Sequence, residues 1–203
     1  MKKDLETLYT TDKIQKIIKS LDRDKIHILY YNYSFNWHNF YKNPLLVFTK
    51  IYNLFTGRPS IDHVNHISRF RFDEHRKVWD ARVFEATMER GMEENDLFDK
   101  LKLFRGTCYI ETLDIIVDKV KAKEFENTYT GVPYSKKVAV LSALKCIDIK
   151  GAMIGGSCSW LEVLFMKGQG LNLSKLSGGD ESKITPADLF SAELGVKSIL
   201  FKN

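Results

Sequence analysis

The chain has 203 residues, 44% of them apolar, which is enough for one folded domain with a substantial core and excludes a disordered protein. The net charge is +5, but the 31 basic residues are interleaved with 26 acidic ones, so no basic stripe suggests a nucleic-acid partner. Three cysteines without a CxxC pair argue against a disulfide framework and fit a reducing compartment.

Residues 1–25 contain no apolar segment typical of a signal peptide. No uninterrupted apolar run approaches the roughly 18 residues of a membrane-spanning helix. We therefore expect a cytoplasmic or virion-associated protein without a transmembrane segment. No internal repeat or low-complexity linker divides the chain, so a single α+β domain is the simplest interpretation.

In chain order, the first predicted element is a short amphipathic helix at 10–21, capped by Asp12 or a nearby threonine, because its isoleucines and Leu21 share one face. The β-branched and aromatic run KIHILYYNY then predicts a strand at about 26–33. A helix is predicted at 44–56, since an asparagine and a proline form a favourable helix start there.

The rest of the chain predicts alternating strands and helices. Two strands, at 62–72 and 77–87, are expected to form a hairpin over DEHRK. Further strands are expected at 107–113 and 196–203. Helices are expected at 93–104, 114–129, 133–147 and 157–170, and a short turn or helix at 184–193.

The stretch IGGSCSWLEVLF places Cys158 where a glycine-rich loop becomes a helix. A helix start offers unpaired backbone N–H groups and the positive end of the helix dipole, and both favour a thiolate. Gly155 and Gly156 would allow the chain to turn tightly and a substrate to approach. The alternative is an inert buried thiol, because free cysteine is among the most buried residue types.

A cysteine nucleophile needs a base, and the sequence holds five histidines. His63 and His66 share one predicted strand, but their odd separation puts them on opposite faces, so we do not expect both in one site. This argues against a paired metal site, and no metal or cofactor is expected. Glu85, an acid inside an apolar strand, would orient the imidazole, or else would be an exposed or salt-bridged strand residue.

Six short motifs resemble, in order, those of a known family. RDKIHILYY resembles its opening strand, LLVFTKIYNLFTGRPSIDHVNHI its helix and histidine-bearing strand, and RVFEATMERGMEENDLFDKL its strand with an EA acid. TYTGVPYS resembles its G-PYD segment, SCSWLEVLF its CSELV helix, and ITPADLF its trailing TPGDL. The chain, over about residues 24–190, thus resembles the circularly permuted, papain-like branch of the NlpC superfamily of cysteine hydrolases, the YiiX-like group. Lecithin retinol acyltransferase is a more distant resemblance.

By matched position, the resemblance implies that Cys158 is the nucleophile, that His63 rather than His66 is the base, and that Glu85 orients His63. It also implies that Tyr134, on the PYD tyrosine, lines the pocket. The order histidine, acid, cysteine reverses the papain order, which permutation explains because geometry rather than chain order makes a triad.

The implied fold is a permuted papain-like α+β domain at 23–203, with helices packed on a small antiparallel sheet and the nucleophile at a helix N-terminus. Residues 1–22 would form an N-terminal helical extension. Trp160 stands where the family has the acid of CSEL and could narrow the pocket or only pack, and Gly156 would lie beside the substrate.

We therefore expect a thiol hydrolase that cleaves an amide, peptide or acyl-ester bond through a thioester, with cell-wall peptides or lipid acyl groups as substrate classes. Two alternatives stay open: a catalytically lapsed fold that serves binding or assembly, for example in a phage virion, and a lipid acyltransferase. For the latter, the apolar face of the predicted helix at 44–56 could contact lipid, although such a face more often lies in a core.

Overall fold

A computed structural model of the chain describes residues 2–33, 64, 66–73, 78–135, 157–176, 181 and 184–202. The strands in these ranges are β1 (Lys25–Tyr33), β2 (His66–Asp73), β3 (Val78–Thr87), β4 (Gly91–Asp96), β5 (Gly106–Ile116) and β6 (Gly195–Lys202). The helices are α1 (Lys2–Ser20), α2 (Leu97–Leu103), α3 (Lys119–Tyr129), α4 (Cys158–Gly168) and α5 (Pro186–Ser191), with a 3₁₀ turn at Ser174–Leu176.

The described strands form one sheet in the order β4-β3-β2-β1-β5-β6, and every neighbouring pair is antiparallel. The predicted α+β class, with helices beside a small antiparallel sheet, is confirmed. Residues 26–31 of the inner strand β1 are all buried, which shows that both faces of the sheet are covered there.

Helix α4 packs on one face of the sheet. Ile28 of β1 and Phe84 of β3 belong to the same buried cluster as Leu161 and Phe165 of α4. Phe125 of α3 packs against this cluster from outside and is only partly buried. The helix that carries Cys158 is therefore held by the core itself.

Helices α1 and α2 cover the opposite face. Leu29 of β1 and Val83 of β3 alternate with the residues of the first core and pack with Ile14 and Ile18 of α1 and with Leu97 of α2. The described elements thus form three layers, with the sheet between two groups of helices. The division of the chain into an N-terminal extension and a hydrolase domain stays a prediction.

The predicted starts of the helices at 10–21 and 93–104 are wrong. Helix α1 begins at Lys2, so neither Asp12 nor the neighbouring threonines cap it. The helix predicted at 93–104 begins at Leu97, because Asp96 is the N-cap and accepts a hydrogen bond from Asp99 N at 3.0 Å. The residues before it form β4, whose polar side chains find partners on β3.

The helix predicted at 114–129 begins at Lys119 with Asp118 as its N-cap, because β5 continues to Ile116. The strands predicted at 26–33, 77–87, 107–113 and 196–203, the strand of 62–72 from His66 onward, and the helices at 157–170 and 184–193 are confirmed. The predicted helix at 44–56 lies outside the described residues. So does the helix predicted at 133–147, except for residues 133–135, which are not helical. In the part of the chain that the structure describes, no helix is long and apolar enough to cross a membrane.

Candidate active site

Cys158 is the first residue of α4, and its neighbours form a regular helix start. Ser157 is the N-cap, with an extended backbone (φ −94°, ψ 171°), and its Oγ accepts a hydrogen bond from Trp160 N at 3.3 Å. Ser157 Oγ also lies 3.2 Å from Ser159 Oγ. The thiol therefore lies at the positive end of the helix dipole, the position predicted for it.

The imidazole of His66 connects Cys158 to Glu85. His66 is the first residue of β2, and its Nε2 forms a short hydrogen bond with Glu85 Oε2. The Cys158 thiol acts on the same ring, because its charge and its hydrogen-bonding capacity both raise the pKa of the imidazole. Because Nε2 faces the carboxylate, Nδ1 is the ring nitrogen left for the sulfur. Sulfur, imidazole and carboxylate follow one another in the order of nucleophile, base and orienting acid.

The register between β2 and β3 brings His66 and Glu85 together. Arg69 pairs with Phe84, so the next pair along the ladder is Ser68 opposite Glu85. His66 then lies diagonally across from Glu85 on the same face of the sheet, within reach of a long side chain.

Both carboxylate oxygens of Glu85, which is 1% exposed, have donors. Oε1 accepts from Asn95 Nδ2 at 3.1 Å, while Oε2 accepts from His66 Nε2 and Lys100 Nζ. Burial alone would raise the pKa of Glu85, but the charges and hydrogen bonds of Lys100 and His66 outweigh it and lower this pKa to about 2. Glu85 is therefore a carboxylate throughout the physiological pH range.

The groups around His66 act on its pKa in opposite directions. Burial and the Lys100 ammonium lower it, whereas the charges of Cys158 and Glu85 and the hydrogen bond with Cys158 raise it, and the net pKa is above the ordinary value. An imidazole that holds its proton beside a thiol favours the thiolate–imidazolium pair. The ring of Tyr31 packs beside the imidazole, with centroids 5.4 Å apart.

One turn beyond Cys158 on α4, Glu162 forms a buried ion pair with β2. Arg69 Nη1 lies 3.2 Å from Glu162 Oε1, and Arg69 Nη2 lies 3.5 Å from Glu126 Oε1 of α3. The guanidinium carbon also lies 3.9 Å from the centre of the Phe165 ring. Burial raises the pKa of Glu162 to about 7, although Arg69 opposes the rise. This cluster joins the nucleophile's helix to the strand that carries the imidazole.

Two aromatic residues that the sequence assigns to the pocket lie near the start of α4. Burial, and then the charge of Cys158, raise the pKa of the Tyr134 hydroxyl, so Tyr134 lies within electrostatic reach of the sulfur. Trp160 is partly buried against the core, and its ring meets Tyr129 of α3 edge to face at 5.9 Å. Packing is thus shown for Trp160, and substrate contact stays a prediction for both residues.

His63 and Gly156 lie outside the described residues, so their proposed roles stay predictions. The histidine that the structure brings between Glu85 and Cys158 is His66, which the resemblance did not select. Within the described ranges, no group of three histidine, cysteine or acidic side chains is arranged to hold a metal ion.

Comparison of the chain with protein-family models, with curated proteins and with solved structures finds no match. Function is therefore inferred from the geometry of Cys158, His66 and Glu85.

Proposed function

We propose that this protein is a thiol hydrolase with a permuted papain-like fold, in which Cys158 is the nucleophile, His66 the base and Glu85 the acid that orients the imidazole. The observation that carries the proposal is the position of the His66 imidazole, which is hydrogen-bonded to the Glu85 carboxylate and has its pKa raised by the neighbouring Cys158 thiol. The base differs from the residue expected from the sequence, which was His63. A cysteine at a helix start above an antiparallel sheet supports the proposed fold.

In the proposed reaction, His66 takes the proton of the Cys158 thiol, and the sulfur attacks a carbonyl carbon. The backbone N–H of Cys158, free at the first position of the helix, helps to hold the oxyanion. The bond from carbon to the leaving nitrogen or oxygen then breaks, and His66 returns its proton to that atom. Water attacks the resulting thioester, which releases a carboxylic acid and restores the thiol.

The substrate class we propose is a peptide, amide or acyl ester, with cell-wall peptides and lipid acyl groups as the first candidates. Tyr134 supports a pocket beside the sulfur, because burial and then the charge of Cys158 raise the pKa of its hydroxyl. No nucleic-acid partner is proposed, because acidic residues interrupt the basic ones throughout the sequence.

The first test is the pH dependence of iodoacetamide labelling at each cysteine, followed by mass spectrometry in the wild type, His66→Ala and His63→Ala. We expect Cys158 to label rapidly below pH 7 in the wild type and in His63→Ala, and slowly in His66→Ala. Rapid labelling in His66→Ala together with slow labelling in His63→Ala would identify His63 as the base instead. An ordinary or inaccessible Cys158 in all three proteins would contradict the hydrolase and favour a lapsed fold that serves binding or assembly.

The second test is turnover of a panel of peptides and acyl esters, with Cys158→Ser as the matched control. Hydrolysis by the wild type and its loss in Cys158→Ser is the expected result. Products that carry an added amine or alcohol in preference to water would identify an acyltransferase instead.

A further inference from the structure

Lys100 points toward the core from a helix position that normally holds an apolar residue. It lies between Leu97 and Leu101 of α2, which are both buried, and its own side chain is only 16% exposed. An inward ammonium is costly unless it is paired, and Lys100 Nζ is paired with Glu85 Oε2. The ion pair therefore forms inside the core face and not on the surface.

The way in which Lys100 is placed follows from the chain path. Strand β4 pairs with β3, with Glu93 opposite Glu85, and the Asp96 cap then starts α2 directly after β4. The helix thus turns back over the strand that carries Glu85. The continuous segment β3–β4–α2 thus contains both Glu85 and the Lys100 side chain that contacts it.

Lys100 and His66 share their partners. Both donate to the same oxygen, Glu85 Oε2. Both also pack on Tyr31, whose ring centre lies 4.0 Å from Lys100 Nζ and 5.4 Å from the centre of the imidazole. A carboxylate oxygen that is held by a fixed ammonium has less freedom to move toward or away from the imidazole.

We propose that Lys100 is a positioning residue for the triad: its ammonium fixes the Glu85 carboxylate beside His66 and limits how firmly the imidazole holds its second proton. The proposal rests on the proposed function of Cys158 and His66. The positive charge of Lys100 balances the negative charge of the Glu85 carboxylate. The imidazole therefore accepts the proton of the sulfur beside an ion pair whose net charge is zero. A base that holds its proton less firmly returns it more readily to a leaving group.

Other groups also act on the imidazole from the elements around it. In the described part of the chain these are Cys158 and Glu162 of α4, Glu85 of β3 and the Tyr31 ring of β1, besides Lys100 itself. The Glu85 carboxylate favours the protonated imidazole, as does Glu162 once it is ionised, whereas Lys100 is the cation that opposes it. Removal of the charge at Lys100 should therefore raise the pKa of His66.

The test is the pH titration of the His66 ring signals by NMR in the wild type, Lys100→Gln and Lys100→Arg, with His66→Ala to assign the signal. Glutamine keeps an N–H donor for Glu85 without the charge, and arginine keeps the charge. We expect an upward shift of the His66 midpoint in Lys100→Gln and little shift in Lys100→Arg. Lys102→Met is the matched control, because Lys102 lies on the same helix and is 62% exposed.

Equal midpoints in the wild type and Lys100→Gln would overturn the proposal, as would the same shift in Lys102→Met. If Lys100→Gln does not fold, the rise of the midpoint is measured with Lys100→Met, whose long apolar chain suits the buried position. Failure of the proposed function is distinguishable, because Cys158→Ser would then leave the His66 titration unchanged even where Lys100→Gln shifts it.

Discussion

His66 stands diagonally across from Glu85 on adjacent antiparallel strands, and the imidazole donates to the carboxylate through Nε2. This relationship leaves the other ring nitrogen toward Cys158, on the helix of the opposite layer. A catalytic imidazole needs such an anchor because a ring held at one nitrogen presents the other in a constant direction.

Glu85→Gln should destabilise the protein and slow the labelling of Cys158. The amide leaves Lys100 buried without its charge partner, and breaking a buried ion pair typically costs about 3 kcal/mol or more. It also removes the charge that supports the protonated imidazole. Urea denaturation and iodoacetamide labelling at pH 6.5 measure the two effects.

Glu93→Gln is the matched control for that substitution, because Glu93 pairs with Glu85 across the ladder but is 23% exposed and 3.9 Å from Arg90. We expect a change in unfolding free energy of at most about 0.5 kcal/mol there. Equal losses of unfolding free energy in Glu85→Gln and Glu93→Gln would mean that the ion pair of Glu85 with Lys100 does not stabilise the protein more than an exposed one.

Ser157→Ala should lower both the stability of α4 and the reactivity of Cys158. Loss of a serine N-cap costs about 1 kcal/mol and frays the first turn, which begins at Cys158. Thr185→Ala removes the cap of α5, where Thr185 and Asp188 form a capping box. It should cost a similar amount of unfolding free energy, yet leave the labelling rate of Cys158 unchanged; a slower rate there would show that any loss of stability suffices.

Glu162 should make stability depend on pH between its ordinary pKa of 4.5 and its folded pKa of about 7. In that window the unfolded chain loses a proton that the folded protein keeps, so this contribution favours the folded state at low pH and disappears as the pH rises to 7. The difference amounts to about 3 kcal/mol at 1.36 kcal/mol per pH unit.

The measurement compares the wild type with Glu162→Gln, which cannot titrate, by urea denaturation from pH 4.5 to 8. The wild type should lose stability relative to the variant as the pH rises. Glu124→Gln, an exposed change on α3, should give no such trend. A constant difference between the wild type and Glu162→Gln would contradict the buried, proton-retaining carboxyl.

Cys108 should stay unlabelled in the native protein. It is fully buried on β5, and burial raises its pKa to about 12. Labelling in native buffer and in urea, followed by peptide mapping, separates it from Cys158. Reaction of Cys108 at the native rate of Cys158 would contradict the burial that the structure assigns to it.

The regular elements could be predicted because their signals are local. KIHILYYNY is apolar enough to be an inner strand, and a glycine-rich loop before an apolar run marks the start of α4. Strand β4 could not be predicted in this way, because the polarity of its residues is explained by distant partners. Glu94 pairs with Arg82 at 2.6 Å, and Asn95 donates to Glu85.

The acid and the nucleophile of the candidate site could be proposed from the sequence, but the choice of the histidine depended on strand register. If the pairing of Phe72 with Trp79 continued along the strands without a shift, Glu85 would stand directly opposite His66. The ladder instead shifts between Phe70 and Phe72, where Phe72 pairs with Trp79 but Phe70 pairs with Val83. This irregularity places Glu85 opposite Ser68, so that His66 reaches the carboxylate diagonally, and no short motif encodes the shift.

Cys158 lies in one helical layer and Lys100 in the other, with His66 and Glu85 on the strands between them. This arrangement has a consequence for how the protein would lose activity. Strand His66–Asp73 stands between the layers, so the thiol has its base only while both cores are intact. Helix α1 shares a core with α2. Loosening of α1 should therefore change the reactivity of the Cys158 thiol on the far side of the sheet. Labelling of Cys158 would then report the cooperative integrity of the whole domain, earlier than any loss of secondary structure.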